Sequence, residues 1–351
     1  MKIAILGYYG YNNYGDDLML YSIIKQLENC NNCEVVVFCK KSGLKFLDDF
    51  HFVKKVIFTE KSIVKNVTKY VREISSCKYV FWGGGTCFSN EDGVSIRYFL
   101  LAKLLFKKIG FLGIGIGNVT GYNKIKTSFI LNISNFITIR DNESYKLIKK
   151  IVFHNKTKLA VDLTYLLDLN DKNIKSDSSS YNLVSLHNLQ NFFSEEAIKK
   201  RRYNLVKAIK ERFEKDYKKI IVLPLCNEDY NENTLLYKEL LRLNLDVELS
   251  FSNTYIERTN LIINADFFYS ERLHGFILAY FCKTKCFPLQ YSPKFNYFID
   301  DENIEVEYLG LKNIDDINFL YNNSESTIFD RSTVSQNRLN INKDLLLKMF
   351  K

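Results

Sequence analysis

Short apolar runs that stop at glycine or charged turns, each followed by a helical stretch, recur along this chain and leave few folds open. Residues 3–6 run into Gly7-Tyr8-Tyr9-Gly10, and residues 79–82 into Gly83-Gly84-Gly85. Residues 111–116 run into Gly117, and 136–139 into Arg140. The runs are too short for buried helices and rich in Ile, Val and Phe, so they read as strands. Helical stretches follow at about 17–27, 61–74, 96–108, 123–134 and 143–151. Strand, turn and helix in succession specify a parallel sheet covered by helices. After a polar stretch at 168–180 the pattern restarts at 181–187. It continues through 220–225, 247–249, 267–269 and 286–289. We therefore expect an α/β protein of two Rossmann-like domains facing across a cleft. The expected spans are 1–170 and 171–335, with a terminal helix in 336–351 packing back on the body.

Composition narrows the partners. The chain has 351 residues, 46% hydrophobic, with 49 basic and 40 acidic residues and a formal net charge of +9. That length suits two domains. The charge fits an anionic small molecule, an anionic membrane surface or a nucleic acid, and selects none of them. No apolar run reaches the ~18 residues of a membrane span. Met1-Lys2 leads at once into a short strand, which reads as no secretory signal and predicts the cytoplasm. The eight cysteines then read as free thiols. Cys30-Asn31-Asn32-Cys33 has metal-like spacing, but no second pair or His follows at zinc-site distance, so no metal is expected.

Residues with chemistry cluster at the strand ends, where open α/β sheets bind ligands. The first turn, through Asn13, Gly15 and Asp16, offers backbone N–H groups to an anion. It lacks the dinucleotide fingerprint and the Walker Lys, so NAD or ATP is weakly supported. The triple glycine 83–85 is a close-approach site or a tight crossover. Gly117 is another strand-end turn. Arg140 is an anion ligand or a partner of Asp141 or Glu143. Asp162 is an anchor or a turn residue. In the second half, Tyr269-Ser270-Glu271-Arg272-Leu273-His274-Gly275 sets a guanidinium two residues from an imidazole. Arg forks onto carboxylate or phosphate, and His is the side chain most easily set up as a proton donor near neutral pH. Lys294 lies just past the last strand. The basic helix at about 194–217 carries apolar positions 197, 205, 209 and 213. Its other face reads as solvated, with contact to an anionic membrane surface as the minority reading.

Taken together, Gly7 to Asp16, Trp82-Gly83-Gly84-Gly85, Gly113 to Gly117, Ile139-Arg140-Asp141 with Ser144, Asp162, and Ser270 to Gly275 resemble the polysaccharide pyruvyl transferases. The likeness runs from Lys2 to about Lys294 in the family's order. It implies a fold similar to GT-B glycosyltransferases. It also implies transfer of the carboxyvinyl carbon of phosphoenolpyruvate onto two hydroxyls of a sugar as a ketal, with release of phosphate.

By that resemblance Asp16, Arg140, Arg272, Leu273 and His274 line the phosphoenolpyruvate site. The chemistry of the reaction suits His274 as the acid and Asp16 as the base or as a stabiliser of the developing positive charge, with Glu271 a rival base. Gly83, Gly84, Gly85, Asn13, Gly117 and Lys294 complete the substrate contacts. The four residues Asp16, Arg140, Arg272 and His274 are expected to line one cleft. His187 departs from the family pattern, which often carries an Arg near there. Phosphoenolpyruvate is a co-substrate, and no cofactor is implied. The acceptor is a saccharide, lipid-linked, nucleotide-linked or polymeric, and the setting is cytoplasmic, with peripheral contact at the inner membrane face. Nucleic acid ranks last among partners. Two other readings stand: a GT-B glycosyltransferase using a nucleotide sugar, and a non-catalytic anion- or saccharide-binding protein.

Overall fold

The computed structural model describes residues 1–40, 44–58, 62–90, 95–153, 155–171, 174, 179–252, 254–304 and 333–350. The chain divides into two compact units. The first holds Met1–Tyr11, Asp16–Asp168 and Ser332–Lys351, and the second holds Asn12–Gly15 and Leu169–Arg331.

In the first unit the chain runs β1 (Lys2–Leu6), α1 (Tyr14–Leu27), β2 (Glu34–Cys39), β3 (Val53–Ile57), α2 (Ile63–Ile74) and β4 (Tyr79–Gly83). It continues through β5 (Thr86–Phe88), α3 (Ile96–Leu104), β6 (Lys108–Ile116), α4 (Gly121–Asn132), β7 (Phe136–Ile139), α5 (Asn142–Lys149) and β8 (Thr157–Leu159). All pairings are parallel, in the order β3-β2-β1-β4-β6-β7-β8, with β5 on β6. Ala4, Val36, Val80, Phe99, Phe111 and Ile130 share one core under the helices. The direction of winding reverses between β1 and β4, which makes a topological switch point.

The second unit repeats the plan. Its elements are β9 (Tyr181–Ser185), α6 (Glu195–Asp216), β10 (Lys219–Val222), α7 (Tyr230–Arg242), β11 (Val247–Leu249) and α8 (Tyr255–Ile263). They are followed by β12 (Phe267–Ser270), α9 (Leu273–Cys282), β13 (Cys286–Pro288) and α10 (Lys294–Glu302). The sheet order is β11-β10-β9-β12-β13, again parallel, and its switch point lies between β9 and β12. Val184, Leu205, Leu236 and Phe267 sit at its core.

Local chemistry sets several boundaries. Ser62, Asp141, Ser194 and Thr254 each cap a helix by accepting from the backbone N–H three residues on. Helix α1 begins at Tyr14, three residues before the position its apolar periodicity predicts. The triple glycine proves to be a step between two pairings. Gly83 ends β4 on β6, the Gly84 N–H donates to Leu112 O, and the Gly85 carbonyl receives the Gly115 N–H, so the chain resumes beside β6 as β5. Gly84 and Gly85 have φ of +78° and +73°, a region that other residues rarely occupy.

Helix α6 is not simply solvated on its basic face. Arg201 and Arg202 point inward and are buried. Arg201 pairs with Glu232 (3.1 Å) and Glu271 (3.3 Å), and Arg202 with Glu232 and Glu239 (both 2.7 Å). The helical period explains this: Arg201 lies midway between Ala197 and Leu205 on the apolar stripe itself.

The last helix, α11 (Thr333–Lys348), belongs to the first unit. Its Asn342 is fully buried, accepts from Thr138 Oγ1 at 2.7 Å and donates to Val161 O at 2.9 Å. Thr138 Oγ1 in turn accepts from the Gly113 N–H at 2.7 Å. Asn342→Ala removes two buried bonds, and we expect it to cost about 1–3 kcal/mol in urea unfolding. A midpoint like that of the wild type would show that α11 adds no stability through this residue.

Candidate active site

Each unit places an arginine just past the C-terminal end of a strand and fixes it with a buried aspartate; Arg272, after β12, stands at its unit's switch point, and Arg140, after β7, stands two strands beyond β4. In the first unit Arg140 follows β7, and only 7% of its side chain is exposed. Nη1 donates to Asp162 at 2.9 Å, Nη2 to Thr86 Oγ1 at 3.3 Å, and Nε lies 3.7 Å from Asp141. Burial alone would lower its pKa, but Asp162, Asp141 and Asp16 outweigh that and raise it. A Cβ at Gly115 would come within 3.0 Å of Nε, so the glycine makes room for the guanidinium. Asp162 also caps the turn that begins at Leu163, accepting from the N–H and hydroxyl of Thr164 at 3.0 Å. Asp16 sits in the first turn of α1, after β1, with Oδ1 3.2 Å from where a Gly85 side chain would begin. Asp16, Gly85, Thr86 and Arg140 thus gather on one edge of this sheet. Gly83 has a different task, since its carbonyl accepts from the buried Tyr9 hydroxyl at 2.6 Å. Gly117 donates to Phe88 O at 2.8 Å and holds β5 on β6.

The second unit builds a denser constellation. Arg272 is the N-cap of α9, directly after β12, with 15% of its side chain exposed. Its Nε and Nη2 form a fork on Asp229 at 2.8 and 2.6 Å, and Nη2 also reaches Glu228 at 2.8 Å. Asp229 is fully buried. It also accepts from the Asn188 N–H at 3.0 Å, and its Oδ1 lies 3.2 Å from His187 Nδ1. Burial lowers the His187 pKa against the pull of Asp229, so the ring is neutral and carries its proton on Nδ1, facing the carboxylate. Burial would raise the Asp229 pKa, yet His187 and Arg272 bring it below the ordinary value. Burial would lower the Arg272 pKa, and Asp229 raises it well above the ordinary value. Tyr291 packs edge-on to His187 with ring centroids 4.6 Å apart.

His274 stands two residues beyond Arg272 in the first turn of α9. The segment Asn12–Gly15 belongs to this unit: Asn13 forms a bridge with Cys226, and the Tyr14 N–H donates to Leu225 O at 2.9 Å. The Tyr14 hydroxyl meets Thr259 at 2.9 Å, and Arg258 donates to Asn12 Oδ1 at 3.2 Å. This clip lays Gly15 on the imidazole, and a Cβ there would fall 2.0 Å from His274 Nδ1. Asn13 Oδ1 accepts from the Gly15 N–H at 3.3 Å. Leu273 opens α9 half-buried, and Lys294 is exposed at the first turn of α10.

Glu271, the rival base, is turned away from this edge. It is 1% exposed, lies 3.3 Å from Arg201 and accepts from the His187 N–H at 2.8 Å. Arg201 and Arg202 face three glutamates, Glu232, Glu239 and Glu271. Burial in that cluster pushes the Glu271 pKa up to about 7. His187, Glu228 and Asp229 offer metal-ligand atoms within 4.8 Å of one another. The Arg272 guanidinium already holds both carboxylates, so a cation would have to displace it. Sequence reasoning underrated Asp229 and His187. The signal was there, since each stands a few residues past the end of a strand in the middle of this sheet.

Residues 13–293 match the family model described as polysaccharide pyruvyl transferase. The chain belongs to the polysaccharide pyruvyl transferase family. The matched span of this family member takes in residues 13–15 of the clip and the second unit's switch point between β9 and β12, and it begins after β1. No curated protein sequence matches significantly. Among solved structures, the UDP-GlcNAc 2-epimerase of Neisseria meningitidis bound to UDP-GlcNAc has a TM-score of 0.64 at 14% identity, covering 99% of this chain and 100% of its own. The Methanocaldococcus jannaschii UDP-GlcNAc 2-epimerase in complex with UDP-GlcNAc and UDP has a TM-score of 0.58 at 17% identity, covering 98% and 99%. A glycosyltransferase from Rickettsia africae has a TM-score of 0.55 at 10% identity, covering 100% and 94%. These likenesses establish the fold of this pyruvyl transferase family member as GT-B-like.

Two outcomes test this geometry. Gly15→Ala must push the imidazole of His274 aside, and we expect activity to fall about 100-fold with little change in melting temperature. Unaltered turnover would show that His274 does not need that position. Glu271 has its pKa raised on folding, so the folded state binds the extra proton. The stability this contributes is present below about 4.5, the unfolded value, and is lost as pH rises through about 7. Urea unfolding between pH 4.5 and 8 should show that decline, on the order of 3 kcal/mol, and Glu271→Gln should flatten it.

Proposed function

We propose that this protein moves the pyruvyl carbon of phosphoenolpyruvate onto two hydroxyls of a saccharide as a ketal and releases phosphate, in the synthesis of a cell-surface polysaccharide. The observation that carries the reading is the pair at the start of α9. Arg272 is locked by Asp229 and Glu228 through Nε and Nη2, and His274 follows in the same helical turn against Gly15. That leaves the Arg272 Nη1 edge and the N-terminal N–H groups of α9 to receive an anion. Phosphoenolpyruvate brings two anionic groups, a carboxylate and a phosphate.

The chemistry assigns the remaining roles. His274 gives a proton to the terminal methylene, and the C2–C3 double-bond electrons form the new C–H bond. C2 becomes cation-like. A sugar hydroxyl attacks it, and its proton passes to Asp16. A second hydroxyl then forms the other C2–O bond as the bond from C2 to phosphate oxygen breaks. The departing phosphate carries away that proton. Arg140, fixed by Asp162, holds positive charge at the edge where Asp16 lies. The reading needs no cofactor. All eight cysteines are free thiols, which fits a reducing compartment such as the cytoplasm.

Two measurements test the proposal. Phosphoenolpyruvate should raise the melting temperature of the full chain. Stabilisation by UDP- or GDP-sugars and not by phosphoenolpyruvate would favour a nucleotide-sugar glycosyltransferase instead. With phosphoenolpyruvate and a panel of saccharide acceptors, His274→Gln should cut phosphate release by about 100-fold or more. Phosphate release unchanged in that variant would remove His274 from the acid's role.

A further inference from the structure

Positive charge is unevenly distributed along the sequence. Residues 95–161 contain 12 Lys and Arg and only two acids, Asp141 and Glu143, a net +10 within a chain of net +9. The rest of the chain is therefore close to neutral, at −1. From Ser95 to Arg140 there is no acidic residue at all.

The same segment leaves six large apolar side chains in solvent: Leu104, Phe106, Tyr122, Ile125, Phe129 and Phe153. Phe106 is 96% exposed, Phe153 87% and Ile125 68%. They belong to one face of the first unit. Tyr122, Ile125 and Phe129 recur at i, i+3 and i+7 along α4. The Phe153 N–H donates to Asn132 Oδ1 at 2.9 Å, and Ser128 and Asn132 donate to Ile151 O at 2.7 and 2.9 Å. These bonds tie the turn after α5 to the end of α4. Lys103 Nζ donates to Asn135 Oδ1 at 3.1 Å, which brings the end of α3, with Leu104 and Phe106, to the same edge. Lys108, Lys124, Lys126, Lys149, Lys150 and Lys156 are exposed around them.

A polyanion would satisfy the lysines, and its bases or rings would stack on the aromatic side chains, but the aliphatic Leu104 and Ile125 would stay in water. A second copy of the chain would set like charge against like. A bilayer with anionic headgroups accepts both features, apolar side chains entering the acyl boundary and lysines remaining at the phosphates. Among the described residues no helix is long and apolar enough to cross a membrane, so such contact lies on the surface. Helix α6, for which membrane contact was the minority reading of the sequence, fits less well. It carries five acids, and two of its arginines are buried. We propose that the face of the first unit formed by the C-terminal end of α3, helix α4 and the turn at Phe153 docks on an anionic lipid bilayer.

The full chain is tested by co-sedimentation with phosphatidylcholine vesicles, with and without phosphatidylglycerol. We expect binding to the anionic vesicles alone, falling steeply with salt. The variant Phe106→Ser with Ile125→Ser and Phe129→Ser should bind about ten-fold or more weakly. Lys124→Glu with Lys126→Glu should weaken binding about five-fold or more per residue. Circular dichroism checks that both variants fold, and the lysine pair keeps the test valid if the apolar triple variant does not. Equal binding to neutral vesicles, or wild-type binding by the folded variants, would overturn the proposal. So would a dimer of the free chain that the apolar triple variant abolishes while the wild type ignores vesicles. The readout is independent of phosphoenolpyruvate, so its failure and that of the proposed reaction are separate results.

Discussion

The second unit's site depends on one carboxylate buried where no solvent reaches it. Asp229 takes a guanidinium fork, an imidazole N–H and a backbone N–H on two oxygens. Ionised and alone, it would cost several kcal/mol to bury. Ringed by donors, it fixes Arg272 at the head of α9 and sets the tautomer of His187. Beneath it, Glu271 and Arg201 link the strand ends of β12 and β9 to the buried face of α6. The motif at 270–275 is therefore positioned by charges contributed from distant parts of the sequence.

The first unit uses the same device. Asp162 fixes Arg140 as Asp229 fixes Arg272, each beyond the end of a parallel strand. An arginine held through some of its nitrogens keeps its remaining edge aimed without further loss of side-chain freedom on binding. On the proposed reading, Asp162 and Asp229 are then as necessary to anion recognition as the arginines they hold.

Much of this was legible in the sequence, for physical reasons that can be named. Strand cores and glycine turns show through because apolar periodicity and backbone freedom are local properties. Helix caps are local in the same way: Asp141 accepts from the Ser144 N–H three residues on. Arg201 was misread because a charged residue on an apolar stripe looks like an interruption until its partners are known. Those partners, Glu232 and Glu271, lie 31 and 70 positions away. The clip of residues 12–15 was invisible for the same reason, since its contacts at Leu225, Arg258 and Thr259 are more than 200 positions distant. Strand β5 escaped notice because three residues after a glycine turn carry no periodicity.

The return of α11 to the first unit has a consequence for synthesis. The second unit lies between the main body of the first and the helix that supplies Asn342 to Thr138 and Val161. As the ribosome extends the chain, the first sheet is finished long before that helix exists. The carbonyl of Val161 and the hydroxyl of Thr138 therefore wait in water while the whole second unit emerges and folds. Native closure of the first unit becomes a late event, and a nascent chain stalled before residue 342 would expose an incomplete core to chaperones.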